Sequence, residues 1–507
     1  MTRKQRIATI AFASILLLSV ISITYAFFTV SVNDTTSDNV TVTSGSLSLT
    51  LNDMDVHSLT TWNITPSDLS RTLYLSVTNN SPISVDARIL FRGLTNTYSE
   101  YLVYTVEEVN SNKANLNTPN ILINQKRVPA SASSSNKTMV NRITLTSNVT
   151  KYYKVTIQYL YLTTVNQSSD ANKKFYTGFG LEENSDPTAL SQYIKTKVYG
   201  TEPTLYLHSN TATGNNETSI ANWTNAESGN ANDGAYRYSG ADASVNNYVC
   251  FNYTNENECT LDSFTTSDIA YRIISVESDN SIKLIKAKSL NGYANIWDSD
   301  QHGYATFMSS IIQDYKVSLL GKITEPGAAG SNDWTQADIN YYLNGTGSGF
   351  LSTISSSWRN KILTNKTWYI GGYSSSSVKV KTFYNAEHGT CSSGTCPGTT
   401  NTNTTVGLMN VYDYGYGTSP VNWNTDTLYN YNNTTISSNN WLYNILQWTI
   451  SKNPEEEDRV WVLSGTGALY SDYSWNIRST RPVFYLNSNT EFTDGTGTIS
   501  NPYIIKP

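Results

Sequence analysis

Leu73-Tyr74-Leu75-Ser76-Val77-Thr78-Asn79-Asn80-Ser81-Pro82-Ile83-Ser84-Val85-Asp86-Ala87-Arg88-Ile89-Leu90-Phe91 is the stretch on which the reading of the fold turns. Leu73, Leu75 and Val77 recur at every second position, the period of a half-buried strand. Asn79 to Pro82 is a turn cluster. Val85, Ala87, Ile89 and Phe91 then alternate again. Towards the N-terminus the pattern continues in Val40, Val42, Leu47, Leu49 and Leu51, with a break at Ser44-Gly45. Towards the C-terminus it continues in Leu102 to Val106, Ile143 to Leu145 and Tyr153 to Tyr161. Short alternating strands at this spacing, with turns between them, predict an antiparallel β-sandwich or jelly roll.

Composition extends that reading to the whole chain. The 507 residues suggest about three domains, or two large β domains. Strand formers abound, with 36 Tyr and an aromatic share of 12%, and turn-forming Ser, Asn and Gly surround them. Charged residues make up only 15%, against roughly 25% in an average soluble protein. Lys+Arg 34 against Asp+Glu 40 gives a net charge of −6 with no basic stripe, which argues against a nucleic-acid partner. No Ala/Glu/Lys/Leu/Arg-rich heptad run exists for a coiled coil, and aromatics at this density argue against global disorder.

The N-terminus points to export. Arg3, Lys4 and Arg6 precede an apolar run from Ile7 to Ile23, and Thr24 and Ala26 are the small residues of a cleavage site after Ala26. Residues 1–26 are therefore expected to be a signal peptide, with membrane contact only transient. The alternative is a retained anchor, because the run is longer than a usual signal core yet short of the ~20 residues of a comfortable span. Export favours disulfides. The four cysteines allow three pairings, of which the simplest is local, Cys250 with Cys259 and Cys391 with Cys396. Neither spacing suits a zinc site, and His388 near Cys391 reads as a bystander. No cofactor or metal is expected.

Several segments in order carry a resemblance. They are Tyr25-Ala26-Phe27-Phe28-Thr29, Val42-Thr43-Ser44-Gly45-Ser46-Leu47, Trp62-Asn63-Ile64-Thr65-Pro66-Ser67-Asp68, Val77-Thr78-Asn79-Asn80-Ser81, and Gln167 to Gly178. Together they resemble the TasA/camelysin-like biofilm-matrix and fibre proteins of Gram-positive bacteria over about residues 1–183, with Ser67 in place of that family's usual Gly. The resemblance implies a β-sandwich over 27–183. It also implies that Phe27, Phe28, Val30 and Val32, freed by signal cleavage, form a strand that could complete another subunit's sheet. The plainer alternative is that this strand covers an edge of its own domain. Proteolysis linked with camelysin-like members is not carried over, since there is no HExxH and no evident Ser/His/Asp set.

Residues 184–230, rich in Ser, Thr, Asn and Gly, read as a linker with a mild helical run after Pro187. Within it, Leu205-Tyr206-Leu207-His208-Ser209-Asn210-Thr211 is echoed by Phe484-Tyr485-Leu486-Asn487-Ser488-Asn489-Thr490. From 231 the texture changes. Tyr271 to Val276 and Ser281 to Lys286 read as a hairpin, helical patches are expected at Trp334 to Leu343 and Ile354 to Leu363, and Val406 to Val411 reads as a buried strand. Long aromatic loops between short strands predict an α+β domain over 231–507. Tyr271-Arg272-Ile273-Ile274-Ser275-Val276, Gly407 to Gly417 and Arg481-Pro482-Val483-Phe484-Tyr485-Leu486-Asn487-Ser488 resemble a recurring extracellular domain of gut Firmicutes and Mollicutes. That resemblance implies a remote C-type-lectin-like, formylglycine-generating-enzyme-like fold. The whole chain is thus expected to be mainly β with an α+β part.

The candidate functional residues have plainer roles open to them. Asp413 reads as a loop hydrogen-bonding residue, Glu387-His388 as solvated, and Glu455 to Asp458 as a solvated turn rather than a calcium site. No catalytic residue is expected. Trp441, Trp448 and Trp461 read as core, whereas Trp423 and Trp475, set among Asn, Ser, Thr and Tyr, are the candidate ligand surface. The expectation is a secreted, cell-surface, non-catalytic adhesin that binds a glycan or a host or bacterial surface protein and is carried on a matrix-type sandwich. The alternatives are a purely structural fibre or matrix subunit that self-assembles through its N-terminal strand, and, third, an extracellular hydrolase.

Overall fold

The computed structural model describes residues 39–44, 47–53, 64, 68–98, 101–170, 173–210, 229–260, 263–290, 333–335, 337–345, 349–390, 401–443, 446–474, 476 and 478–507. They are mainly β and form two compact units, Met1–Ser185 and Asp186–Pro507.

The first unit contains β1 (Asn39–Ser44), β2 (Leu47–Asp53), β3 (Ser70–Asn79), β4 (Val85–Asn96), β5 (Leu102–Val109), β6 (Asn115–Arg127), β7 (Ser131–Leu145), β8 (Thr150–Tyr159) and β9 (Phe175–Glu183). One sheet runs β1-β2-β3-β8-β5-β6 and the other β7-β4-β9. Each described pairing is antiparallel. The sequence alternation is the alternation of burial: Leu73, Leu75 and Val77 on β3, and Val85, Ala87, Ile89 and Phe91 on β4, are all buried. Each of the larger ones, the Leu, Val, Ile and Phe side chains, contributes about 1.5–3 kcal/mol when removed from water. The two sheets share one core. Phe91 of β4 meets Tyr104 of β5 edge-on at 4.9 Å between centroids, and the Tyr104 hydroxyl donates to the Met139 carbonyl of β7 at 2.9 Å. The expected sandwich is therefore two facing sheets. The turn after β3 is locked by fully buried Asn79. Its Oδ1 accepts from the Ser81 N–H, and its Nδ2 donates to the carbonyls of Ile83, Leu145 and Thr146.

The second unit begins earlier than expected. Residues 184–230 do not act as a linker over their described part, because Leu190, Ile194 and Leu205 are fully buried in this unit's core. The Leu190 N–H donates to the Thr490 carbonyl, and β10 (Leu205–Leu207) pairs with β11 (Tyr236–Tyr238). A few well-spaced apolar residues in a polar stretch are enough to dock it, and bulk composition hides them. The expected hairpin is present as β13 (Ala270–Val276) and β14 (Ile282–Lys286), the next strand after β12 (Tyr248–Cys250) being β13. Every residue of β13 and β14 is buried, as in a strand covered on both faces. The unit's main sheet continues through β17 (Val406–Gly407), β21 (Val483–Leu486), β22 (Phe492–Asp494) and β23 (Tyr503–Ile505), with order β17-β21-β14-β13-β12-β23-β22 and with β11 and β10 branching from β13. Smaller sheets pair β15 (Thr367–Tyr369) with β16 (Asn401–Asn403), and β18 (Gln447–Lys452), β19 (Arg459–Leu463) and β20 (Leu469–Tyr473) in a row. The helices that matter below are α1 (Val380–Glu387), α2 (Val411–Gly417) and α3 (Pro420–Thr425). Of the strand expected over 406–411 only β17 forms, and the chain then turns into α2.

Candidate functional site

The polar chemistry of the second unit converges on the start of α2. Strand β14 delivers Lys283, whose side chain is fully buried with that of Asp413. The Lys283 Nζ donates to Asp413 Oδ2 at 2.6 Å, to Asn410 Oδ1 at 3.0 Å and to the Tyr412 hydroxyl at 3.4 Å. The rings of Trp368, Tyr412 and Tyr485 surround that ammonium at 5.1–5.5 Å. Asn410 and Asp413 form a reciprocal capping box: the Asn410 side chain accepts from the Asp413 N–H, and Asp413 accepts from the Asn410 N–H. The Asn410 Nδ2 donates to the Tyr369 carbonyl at 2.5 Å. Asp413 is thus a cap and an ion-pair partner in the core.

Glu387 and His388, at the end of α1, were expected in solvent. That expectation is overturned for Glu387, which is fully buried, because α1 packs against α2 and carries the carboxyl to the free N–H groups there. Glu387 accepts from the Val411 and Tyr412 N–H groups at 3.2 and 3.3 Å and from the Ser451 hydroxyl. Burial pushes this carboxyl up to about 8, against the pull of the Ser451 hydroxyl and with a further push from Asp413. His388 is half-buried, its ring 4.0 Å from both Tyr369 and Tyr384. Its Nδ1 lies 2.8 Å from the Tyr384 carbonyl, which only a protonated Nδ1 can donate to. Desolvation lowers the imidazole to about 4.

A second cluster lies around Asp233. Burial alone would raise its carboxyl, but the Arg237 guanidinium, bound through two hydrogen bonds of 2.8 and 2.6 Å, holds it well below the usual carboxylate range. The Tyr384 hydroxyl donates to the same carboxylate at 3.0 Å. His208 is fully buried, and its Nδ1 accepts from the Ala231 N–H at 3.1 Å. Burial, and then the nearby Arg237, lower its pKa well below the ordinary value.

The ligand surface expected at Trp423 is not there. Trp423 has no exposed surface. It packs against Tyr206, His208 and Tyr416, and its indole N–H donates to the Thr418 carbonyl. Its polar sequence neighbours said nothing of the aromatics that cover it from distant segments. Trp441, Trp448 and Trp461 are buried as expected. Cys250 and Cys259 form the expected disulfide. Glu455, Glu456 and Glu457 are exposed, and among the described residues no three His, Cys, Asp or Glu side chains are grouped to hold a metal. Ala26, Phe27, Phe28, Val30, Val32, Cys391, Cys396 and Trp475 lie outside the described residues. Sequence reasoning missed Lys283, Asn410 and Ser451 as members of one centre. The signal that could have found part of it is the Asn-x-x-Asp spacing of Asn410 and Asp413, a helix-start pattern of the capping-box kind.

No family model matches the chain, and no curated protein does either. Among solved structures, the chain is similar to vicilin from Corylus avellana (hazelnut) at 9% identity, with a TM-score of 0.11, over 31% of this chain and 38% of that one. The chain therefore spans well under half of that protein's length, and a likeness this slight bears on neither fold nor function.

Proposed function

We propose that this is an exported, cell-surface protein that binds a glycan or a surface protein without catalysis, its second unit making the contact and its sandwich acting as carrier. The Cys250–Cys259 disulfide supports an oxidising compartment. The observation that carries the binding reading is the segment 420–432. Trp423 anchors it in the core, while Val421 and Tyr429 are 61% and 53% exposed in a stretch of Tyr, Asn and Thr, the residue types of adaptable binding surfaces. The test is to screen the full chain against glycans and mucosal glycoproteins beside Val421→Asp and Tyr429→Ala, with Ile499→Asp as a control on an unrelated exposed position. Binding lost in the first two and kept in the control supports the reading. A folded protein that binds nothing in the screen overturns it.

A structural matrix subunit is the second reading. It is favoured by β6, which lies at a sheet edge with Asn115 and Asn117 to Ile121 exposed on both faces. Pro119 blunts that edge but leaves most of its backbone groups open to an added strand. Fibres that appear on removal of residues 1–26 support this reading, and a strictly monomeric product counts against it.

A further inference from the structure

We propose that Lys283 and Asn410 react to form an intramolecular isopeptide bond, with Asp413 as the proton-transferring catalytic residue. Three side chains that have no individual claim to chemistry meet here in a reactive order. The Lys283 Nζ sits against the Asn410 side-chain amide and donates to its Oδ1 at 3.0 Å, which places the amine next to the carboxamide whose Cγ it would attack. A carboxylate, Asp413 Oδ2, holds that same Nζ at 2.6 Å and is placed to take its proton. The Asn410 Oδ1 also accepts the Asp413 backbone N–H, so a donor already faces the oxygen on which negative charge would build. The Asn410 Nδ2, the leaving nitrogen, is oriented away by its bond to the Tyr369 carbonyl. Trp368, Tyr412 and Tyr485 enclose the ammonium and exclude water that would compete as a nucleophile. The other Asp413 oxygen, Oδ1, is buried with no hydrogen-bond partner among the described residues, leaving it free to shuttle a proton.

The step balances without a co-reactant. Asp413 accepts a proton from the Lys283 ammonium, and the freed Nζ lone pair adds to Cγ of Asn410. The Nζ–Cγ bond forms and the Cγ–Nδ2 bond breaks. In all, two protons pass from Nζ to Nδ2 by way of the Asp413 carboxylate, Nζ keeps one, and Nδ2 departs as ammonium. A buried ammonium and a primary amide become one neutral secondary amide. The bond would tie β14 covalently to the start of α2.

The test is mass spectrometry on the purified full chain. The expected intact mass is lower than that of the disulfide-bonded sequence by about 17 Da, the loss of one ammonia. After reduction and trypsin digestion, a branched peptide should join Lys283 to Asn410, with no cleavage after Lys283. Separate linear peptides, with trypsin cutting after Lys283, overturn the proposal. So does an ammonia loss confined to one peptide, which is a cyclised asparagine and not a cross-link. Asn410→Ser retains a capping oxygen and should abolish the branched peptide. Asp413→Ala keeps both reacting residues and should also leave them unlinked, whereas a full cross-link in that variant removes Asp413 from the mechanism.

Discussion

At the scale of single residues, the second unit is set against pH from both sides. His208 and His388 are both held neutral, well below 6.5 and at about 4 respectively. An unfolded histidine binds a proton near 6.5 and these do not, so the stability they contribute is present above about pH 6.5 and is lost as pH falls towards 4. Glu387 has the opposite sign. Its carboxyl is raised from 4.5 to about 8, so its contribution is full below 4.5 and is lost as pH rises through 8. Between 4.5 and 6.5 the unfolded state holds two histidine protons against one carboxyl proton in the fold, so stability rises with pH. Between 6.5 and 8 only the Glu387 proton counts, and stability falls. The second unit should therefore be most stable near pH 6.5, with slopes of roughly 1.4 kcal/mol per pH unit at the steepest. Denaturant midpoints measured from pH 4.5 to 8 check this. Glu387→Gln should flatten the alkaline limb and steepen the acid limb from one net proton to two, and an alkaline limb that survives in that variant would refute the assignment.

At the scale of elements, β1 to β5 and β8 were legible and α2 was not, for one physical reason. A strand with one covered face writes its burial as a period of two, so Leu73, Leu75 and Val77 announce β3. Helix α2 is buried at all seven positions, so it has no polar face and no 3.6-residue period to read, and its Tyr-Gly composition favours the strand reading. The polar centre was hidden with it, because Lys283, Asn410 and Glu387 come together only once α2 exists. Gly415 is the residue that lets α2 pack. A Cβ there would lie 2.3 Å from Val380 Cγ2 and 2.8 Å from Val380 Cβ, and Val380 is β-branched and stiff in its helix. Ala is the better helix former by about 1 kcal/mol, but the clash should win. Gly415→Ala is expected to destabilise the second unit by about 1–3 kcal/mol, and Val380→Ala in the same chain should restore part of the loss. A neutral Gly415→Ala would mean that α1 gives way and that the close approach is not required.

At the scale of the whole molecule, the described core residues fall into two clusters with no residue in common. Each cluster is large enough to sustain its own cooperative transition, so unfolding should resolve into two steps that respond to different perturbations. Asn79→Ala acts on the first. It strips the carbonyls of Ile83, Leu145 and Thr146 of their buried donor, and leaving such groups unmet costs about 1–3 kcal/mol. Reduction of Cys250–Cys259 acts on the second, because both cysteines are fully buried in its core. Closing a loop this short is worth roughly 2–3 kcal/mol. Calorimetry on the oxidised, reduced and Asn79→Ala chains separates the cases. Each perturbation should lower one transition and leave the other in place, and a single transition that moves as a whole under both would show that the two cores melt as one. The isopeptide bond, where it forms, adds a third handle. It lies in the second core alone, so Asn410→Ser should lower the transition that reduction lowers and leave the sandwich melting where it was.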